Sequence, residues 1–360
     1  MIFFQYLLFS IALAYVCSFL FGKRKKLFFF VVSGILLTLF LGFRDIETGG
    51  IDLLRYNRQY VDLQDADSIG AAFEIREGEN ALFFLLLYAF AKLGWSFQTF
   101  LLVIATFSVS ASMLLYYRYS KYPLLCLCMF LPICYIHLFS QLKQTIAVAI
   151  AVFAYILLRN NKTKWSYALL IVAMLFHPTA IVMLPFFFLC KFRATPKLLF
   201  FLFLGSIFVF LSRMSLGYYL TFALYNQFID QYASRERITG MATLFVLITT
   251  LYILLMPKSQ SVIKEKYLIL SSYLYALIIA TCIFFCASYS YAFTRLNNYY
   301  LMFLPLAISE MADFSVWKKF FGSKLPVYVI FGLIMYVMIT RFLDMVVSQY
   351  LDSYHFYWMK

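Results

Sequence analysis

The chain alternates long apolar runs with short polar breaks from one end to the other. A helix of about 20 apolar residues spans a hydrocarbon core of about 30 Å. The apolar runs predict crossings at residues 2–21, 27–43, 97–117, 123–139, 144–158, 198–212, 241–256, 267–286, 299–312 and 325–345. The pattern therefore predicts an all-α polytopic integral membrane protein with about 10–12 transmembrane helices, some of them broken or re-entrant.

Composition supports this interpretation. Hydrophobic residues make up 64% of the 360 residues and charged residues only 13%, whereas a soluble domain has about 25% charged residues. The longest polar stretch, residues 44–80, is too short for a soluble domain. We therefore expect a single transmembrane domain over residues 1–360, with outer-face loops at 44–80 and 213–240.

The charges are distributed unequally between the polar breaks. Six short loops are basic and contain a single acid, Glu265; they lie at 23–26, 118–121, 159–164, 191–197, 258–266 and 318–324. The positive-inside rule places these loops in the cytoplasm. The 44–80 stretch has nine acids against four arginines, and with both termini it is predicted to lie outside. The net charge of +14 is thus an orientation signal, and nucleic-acid binding is not expected.

Two segments do not fit simple counting. Residues 81–95 are short, and counting them as a crossing would reverse the side of the next basic loop. Residues 165–190 lie between two basic loops and contain the dipeptide His177-Pro178. Because proline disfavours the helical conformation of the residue before it, we predict a broken hairpin with its break at His177. A broken backbone inside a membrane lines a protein-enclosed cavity, so His177 is a candidate functional residue.

Charged groups inside a membrane bundle are costly and suggest a ligand site. In the predicted topology Arg44, Lys143, His177 and Arg295 all reach the outer half of the membrane. Four potentially cationic groups in one leaflet favour an anionic ligand, for which a phosphate-bearing lipid head is suitable. The structural alternatives stay open: Arg44 and Lys143 as interfacial anchors, and the other two residues as helix ends.

Further candidates follow Arg44 in the 44–80 stretch. Asp52, Tyr56 and Tyr60 recur at helical spacing and point to one face. Asp52 alternatively caps its helix or pairs with a neighbouring arginine. Glu79 precedes the apolar run at 81, where a helix dipole favours an acid, and it is also a candidate for substrate binding.

Several enzyme classes lack their signatures here. The chain has no P-loop, dinucleotide fingerprint, HExxH or GxSxG motif. Its three histidines are far apart in sequence, so we expect no metal site and no cofactor. An ATP-driven pump is excluded because the chain has no P-loop.

Three blocks of sequence resemble one family. They are residues 44–60, SQLKQTIAVAIAVFAYILL with the following LIVAMLFHPTAIVMLP, and FTRLNNYYLMFLP. In order and spacing they resemble the EpsG family of bacterial membrane proteins, within the wider class of Wzy-type polysaccharide polymerases. This chain has Lys143-Gln144 where the family usually has Arg-Gln, and Gly-Gly-Ile-Asp where the family has Gly-Thr-Asp-Tyr. Lysine keeps the charge but loses the bidentate fork of arginine.

The resemblance implies a GT-C-like membrane glycosyltransferase in the bacterial cytoplasmic membrane. It would join oligosaccharide repeat units carried on undecaprenyl diphosphate at the outer face, without nucleotide or metal. Membrane lipid and a chain-length regulator protein are the implied partners. The implied roles are diphosphate and glycan binding for Arg44, Lys143 and Arg295, sugar positioning for Gln144, Tyr56 and Tyr60, and general base for His177, with Asp52 second.

Two other functions use the same chemistry. A flippase or transporter of lipid-linked oligosaccharide would bind the same head group without reaction, although the internal repeats common in such proteins are absent from the sequence. A glycan ligase would transfer similar lipid-linked glycans to a different acceptor. The sequence alone separates these alternatives poorly.

Overall fold

The structure is a computed structural model. It describes residues 2–20, 22–50, 52–75, 80–225, 235–256, 263–287, 292–312, 322, 325–348 and 354–359. Extended pairing within these ranges is limited to a bridge between Arg44 and Phe356. Five of the described helices are long and apolar enough to cross a membrane, and six more are apolar but shorter. The chain is therefore an all-α polytopic membrane protein, as the sequence predicts.

The helices are numbered here in chain order. Their bounds are α1 Ile2–Phe19, α2 Lys25–Gly42, α3 Leu53–Asp65, α4 Ile69–Glu74, α5 Ala81–Lys92, α6 Phe97–Tyr119, α7 Pro123–Ile133, α8 Leu142–Arg159, α9 Thr163–Phe176, α10 Met183–Leu189, α11 Pro196–Tyr225, α12 Arg235–Leu255, α13 Lys264–Cys286, α14 Ala292–Leu296, α15 Asn298–Leu301, α16 Leu304–Met311 and α17 Leu325–Ser348. Short 3-10 turns lie at Gly22–Arg24, Tyr135–Leu138, Pro178–Val182 and Tyr357–Met359.

Internal contacts group the chain into two compact units, and the single transmembrane domain stays a prediction. The first comprises Met1–Pro178 and Val337–Lys360, and the second comprises Thr179–Tyr336. The boundary coincides with the His-Pro dipeptide. α9 ends at Phe176, His177 is extended, and a 3-10 turn begins at Pro178. The predicted break at this position is confirmed.

In the first unit, α2 and α6 are antiparallel neighbours. Lys26 near the start of α2 donates to the carbonyl oxygen of Ser120 after α6, at 2.6 Å. At the other end, Gln98 near the start of α6 donates to the carbonyl oxygens of Gly42 and Arg44. A Cβ at Gly42 would lie 3.0 Å from the Cα of Leu102, so glycine permits this close approach. The two basic loops at 23–26 and 118–121 therefore lie on one side, which we call the basic side.

α8 and α9 extend this arrangement. The rings of Tyr119 and Tyr155 are 5.8 Å apart, which places the end of α8 on the basic side. Ser166 near the start of α9 donates to the carbonyl oxygen of Ala154 at 2.8 Å, so α9 runs back from the basic side. Because α9 has 14 residues, it rises about 21 Å and ends in the opposite half of the membrane.

α5 does not cross the membrane. Asn80, before α5, donates to the carbonyl oxygen of Phe176 at 3.0 Å, so α5 starts at the depth where α9 ends. At its other end Lys92 donates to the carbonyl oxygen of Gln64 at 3.0 Å, and α6 begins soon afterwards. Both ends of α5 thus lie away from the basic side, which makes it a re-entrant helix packed on α3.

In the second unit, α13 is the central helix and contacts both α11 and α12. Tyr252 on α12 donates to the carbonyl oxygen of Leu270 at 3.1 Å. Cys282 on α13 and Ser206 on α11 are joined by a hydrogen bond of 3.4 Å. The crossing predicted at 198–212 continues as helix to Tyr225, so the predicted 213–240 loop begins as an extension of α11.

The crossing predicted at 299–312 is not one continuous helix. The chain forms α14, α15 and α16 as three short helices, with breaks at Asn297 and at Met302–Phe303. Every residue from Leu296 to Ser309 is buried. Broken backbone is tolerated at membrane depth where protein encloses it. The prediction of one continuous helix over 299–312 was wrong, because the helix is interrupted at Met302–Phe303.

Candidate active site

Arg44 lies where the end of α2 meets the segment that leads into α8. Its side chain is 1% exposed. Nη1 donates to the carbonyl oxygen of Leu41, and Nη2 donates to that of Phe139 at 3.1 Å. The guanidinium carbon lies 5.6 Å from the centroid of the Phe139 ring. Arg44 therefore ties the end of α2 to the residues that precede α8.

Two glycines let the chain fold back over Arg44. A Cβ at Gly49 would lie 2.8 Å from the Cγ of Arg44. Gly50 has a φ of +143°, and its Cβ would lie 2.6 Å from the carbonyl oxygen of Phe139. Glycine adopts a positive φ at little cost, and neither position leaves room for a side chain. The Gly49-Gly50 turn thus packs the 44–60 block against the segment that begins α8.

The C-terminal segment covers the same junction. Asp45 donates its backbone N–H to the carbonyl oxygen of His355 at 2.9 Å, and Tyr357 donates to that of Phe43 at 3.1 Å. The hydroxyl of Tyr354 donates to the carbonyl oxygen of Phe40 at 2.6 Å. Arg44 and the C-terminal segment therefore lie on the same side of the membrane, as the predicted topology requires.

Burial changes the electrostatics of this junction. Desolvation lowers the pKa of Arg44 to about 10, which leaves the guanidinium charged near neutral pH. Its Nε is buried and has no hydrogen-bond partner among the described residues. A permanent positive charge thus sits beneath the surface, beside the start of α8.

A cavity of about 500 Å³ opens next to this junction. Its polar lining comprises a carboxylate, two amides and two hydroxyls, and its aromatic lining comprises three rings. The polar residues are Asp45, Asn57, Ser96, Gln98 and Thr99, and the aromatic residues are Phe43, Phe97 and Tyr357. Carboxylate and amide groups accept and donate hydrogen bonds to hydroxyls, and aromatic walls suit the apolar face of a sugar ring. The cavity is therefore suited to a carbohydrate.

Asp45 is the acid of this cavity, and sequence reasoning missed it. Its side chain is 4% exposed, and Oδ2 accepts from the backbone N–H of Glu47 at 3.2 Å. The sequence analysis also did not predict Gln98 and Tyr357 as site residues. The available signal was weak: an acid directly after Arg44 at the end of a helix.

The three candidates on α3 are placed differently. Asp52 is at the N-terminal cap position, half-exposed, and its side chain makes no capping hydrogen bond. Tyr56 and Tyr60 share the buried face of α3, at 2% and 1% exposure. The hydroxyl of Tyr60 donates to the carbonyl oxygen of Trp95 at 2.7 Å, so it holds α3 against the end of α5. Their roles in sugar positioning stay predictions.

Lys143 and Gln144 occupy the first turn of α8. Lys143 is half-exposed, whereas Gln144 is 3% exposed. The residue at the N-terminal cap, Gln141, makes no side-chain capping hydrogen bond. A lysine and the positive end of an 18-residue helix together favour an anion.

His177 and Arg295 complete the candidates that the structure describes. His177 is half-exposed, and its backbone N–H donates to the carbonyl oxygen of Ala173 at 2.9 Å. Arg295 is exposed in the last turn of α14 and belongs to the second unit. Glu79 lies outside the described residues. Within the described ranges no three His, Cys, Asp or Glu side chains are grouped to hold a metal ion.

Comparison with known proteins gives one match. No curated protein matches the chain, and no solved structure matches it. The EpsG family model matches residues 26–358, a range that includes the Arg44 junction, α8, the His-Pro break and the C-terminal segment. Because the match covers nearly the whole length, the chain belongs to the EpsG family.

Proposed function

We propose that this protein polymerises oligosaccharide repeat units carried on undecaprenyl diphosphate, at the outer face of the bacterial cytoplasmic membrane. Membership of the EpsG family indicates a polysaccharide polymerase, and hence a transferase. The observation that carries the finer proposal is the cavity of about 500 Å³ lined by Asp45, the residue that follows the buried cation Arg44. Both lie on the side opposite the basic loops, and the substrate is expected on that opposite side. A GT-C-like architecture belongs to the same proposal.

The reaction requires one bond to form and one to break. A hydroxyl of the acceptor glycan attacks the anomeric carbon of the donor glycan. The bond from that carbon to the diphosphate oxygen breaks, and its electron pair leaves with the lipid diphosphate. The hydroxyl proton passes to a general base. Fixed cations stabilise the departing diphosphate, and a positioned base lowers the barrier to attack.

The cations have separate roles in this proposal. Lys143 contacts the diphosphate from the first turn of α8, where the helix dipole adds to its charge. Arg295 is an exposed cation of the second unit, and its role in diphosphate binding stays a prediction. Arg44 holds the residues that precede α8 in place, because its guanidinium is bonded to the carbonyl oxygen of Phe139. Its direct contact with the diphosphate stays a prediction.

His177 is the proposed general base, and Asp52 is the second choice. A neutral imidazole accepts a proton near pH 7. His177 follows the end of α9, beside the point where Asn80 joins the acidic loop to that helix. Gln144, Tyr56 and Tyr60 are proposed to support the sugars, together with Asp45 and Gln98 from the cavity.

The test in cells is the glycan banding pattern of a strain that lacks this protein. A lost polymerase leaves exported products with a single repeat unit. A lost flippase leaves no exported repeat units, and that result would contradict the proposal. A lost ligase leaves long polymer on its lipid carrier, which would also contradict it. Re-expression of the wild-type protein should restore the ladder.

A further inference from the structure

The second unit contains a basic cavity that has no part in the proposed reaction. It has a volume of about 780 Å³ and lies between α10, the start of α11 and the start of α13. Four of its lining residues are cations: Lys191, Arg193, Lys197 and Lys264. The volume falls within the roughly 300–1,000 Å³ of small-molecule sites. These loops are predicted to face the cytoplasm, on the side away from the expected polymerase substrate.

Hydrogen bonds to α13 fix the chain segment that forms the cavity wall. The backbone N–H of Ala194 donates to Oγ of Ser271 at 3.1 Å, and the hydroxyl of Tyr267 donates to the carbonyl oxygen of Ala194 at 3.0 Å. The hydroxyl of Tyr275 donates to the carbonyl oxygen of Phe192 at 3.3 Å. The basic side chains thus project from a wall with a fixed backbone.

Arg193 indicates which class of ligand the cavity binds. It lies between these anchored residues and is half-buried. Its Nε is buried and has no hydrogen-bond partner among the described residues. An unpaired buried N–H is costly, and a guanidinium fork matches the oxygens of a phosphate. A phosphate oxygen at this position would satisfy the donor.

One of the lysines is at a position that helix electrostatics disfavour. Lys197 is in the first turn of α11, which contains no acid. A cation near a helix N-terminus is repelled by the dipole, whereas an anion is attracted. A bound anion would compensate Lys197 and this helix end. Lys264 begins α13 beside Glu265, an acid in the same first turn.

The remaining wall is apolar and open. Phe188 and Phe201 line the cavity, and each is 57% exposed. A basic rim above exposed aromatic rings suits a ligand with an anionic head and an apolar tail. Basic pockets between transmembrane helices on the cytoplasmic side are typical binding sites for anionic lipid heads. We propose that this cavity binds the phosphate head group of an anionic membrane phospholipid in the cytoplasmic leaflet. The proposal stands independently of the polymerase activity.

The experiment measures bound lipid by native mass spectrometry of the purified full-length protein. Phosphatidylglycerol and phosphatidylcholine are added separately at equal concentration, and inorganic phosphate is added as a competitor. The test variant is Arg193→Gln with Lys197→Gln. The matched control is Lys162→Gln with Lys164→Gln, which removes two charges from another basic loop. A third variant, Lys264→Gln, changes only an exposed side chain at the rim. It tests lipid binding if the double variant does not fold.

Wild type and control should retain phosphatidylglycerol in preference to phosphatidylcholine. The double variant should bind it at least about tenfold more weakly, since each charge-assisted hydrogen bond lost is expected to cost a factor of about ten. Lys264→Gln should weaken binding in the same direction. Equal retention by all variants, or no preference between the two lipids, would overturn the proposal. Displacement by millimolar phosphate would also overturn it, and would assign the cavity to a soluble phosphate compound.

Discussion

Nη2 of Arg44 lies 3.1 Å from the carbonyl oxygen of Phe139, a residue 95 positions later in the chain. This hydrogen bond joins the end of α2 to the segment that begins α8. It brings two of the sequence blocks typical of the family into contact. Arg44 thus holds two parts of the candidate site together and also places a positive charge there.

Replacement of Arg44 tests this double role. Arg44→Ala removes two buried hydrogen bonds from a charged donor, to the carbonyl oxygens of Leu41 and Phe139, each contributing about 1.5–3 kcal/mol. We expect lower thermal stability of the purified protein as well as loss of polymer. Arg58→Ala is the control, because Arg58 is exposed on α3. Unchanged stability of Arg44→Ala would show that the two hydrogen bonds do not support the junction.

The Gly50 turn gives a second prediction. Gly50→Ala forces both an unfavourable φ and a Cβ 2.6 Å from the carbonyl oxygen of Phe139. Gly94→Ala shares the positive φ, at +69°, but its Cβ meets nothing within 4 Å. We expect Gly94→Ala to cost about 1 kcal/mol and Gly50→Ala clearly more, measured as a shift in thermal unfolding. Equal shifts would show that crowding against Phe139 does not matter.

The topology is tested by cysteine labelling in a background without the seven native cysteines. Single cysteines at Lys162 and Lys264 should react only with a reagent admitted to the cytoplasm. One at Asp65 should react with an impermeant reagent from outside. All three positions are exposed. Labelling of the Lys162 position from outside would reverse the first unit and remove Lys143 from the substrate side.

The cavity beside Arg44 predicts a role for Asp45. Asp45→Asn keeps the shape of the side chain but removes its charge and one acceptor. We expect polymer formation to fall at least about tenfold, since a hydrogen bond to a charged group contributes about 1.5–3 kcal/mol, with little change in protein level. Glu47→Gln makes the same charge change at an exposed neighbour and should be nearly silent. Wild-type polymer from Asp45→Asn would exclude the cavity as a glycan site.

The sequence predicted features that depend on local signals. The break at His177 was predicted from Pro178. That the loops at 23–26 and 118–121 lie on one side was predicted from their lysines and arginines. It missed features made by residues far apart in the chain. The cavity joins Asp45, Gln98 and Tyr357, and no local pattern links these three. The interruption of the 299–312 helix at Met302–Phe303 was also missed.

Chain extension by the purified protein tests the central claim most directly. Wild-type protein in vesicles receives a synthetic repeat unit on undecaprenyl diphosphate, and the product ladder and the bound substrate are measured separately. We predict a ladder from the wild type. His177→Gln should bind the substrate but lose extension by about a hundred- to ten-thousand-fold, the usual effect of removing a general base. Substantial extension by His177→Gln would make Asp52→Asn the next variant to assay. Substrate binding by the wild type without any ladder would contradict the account.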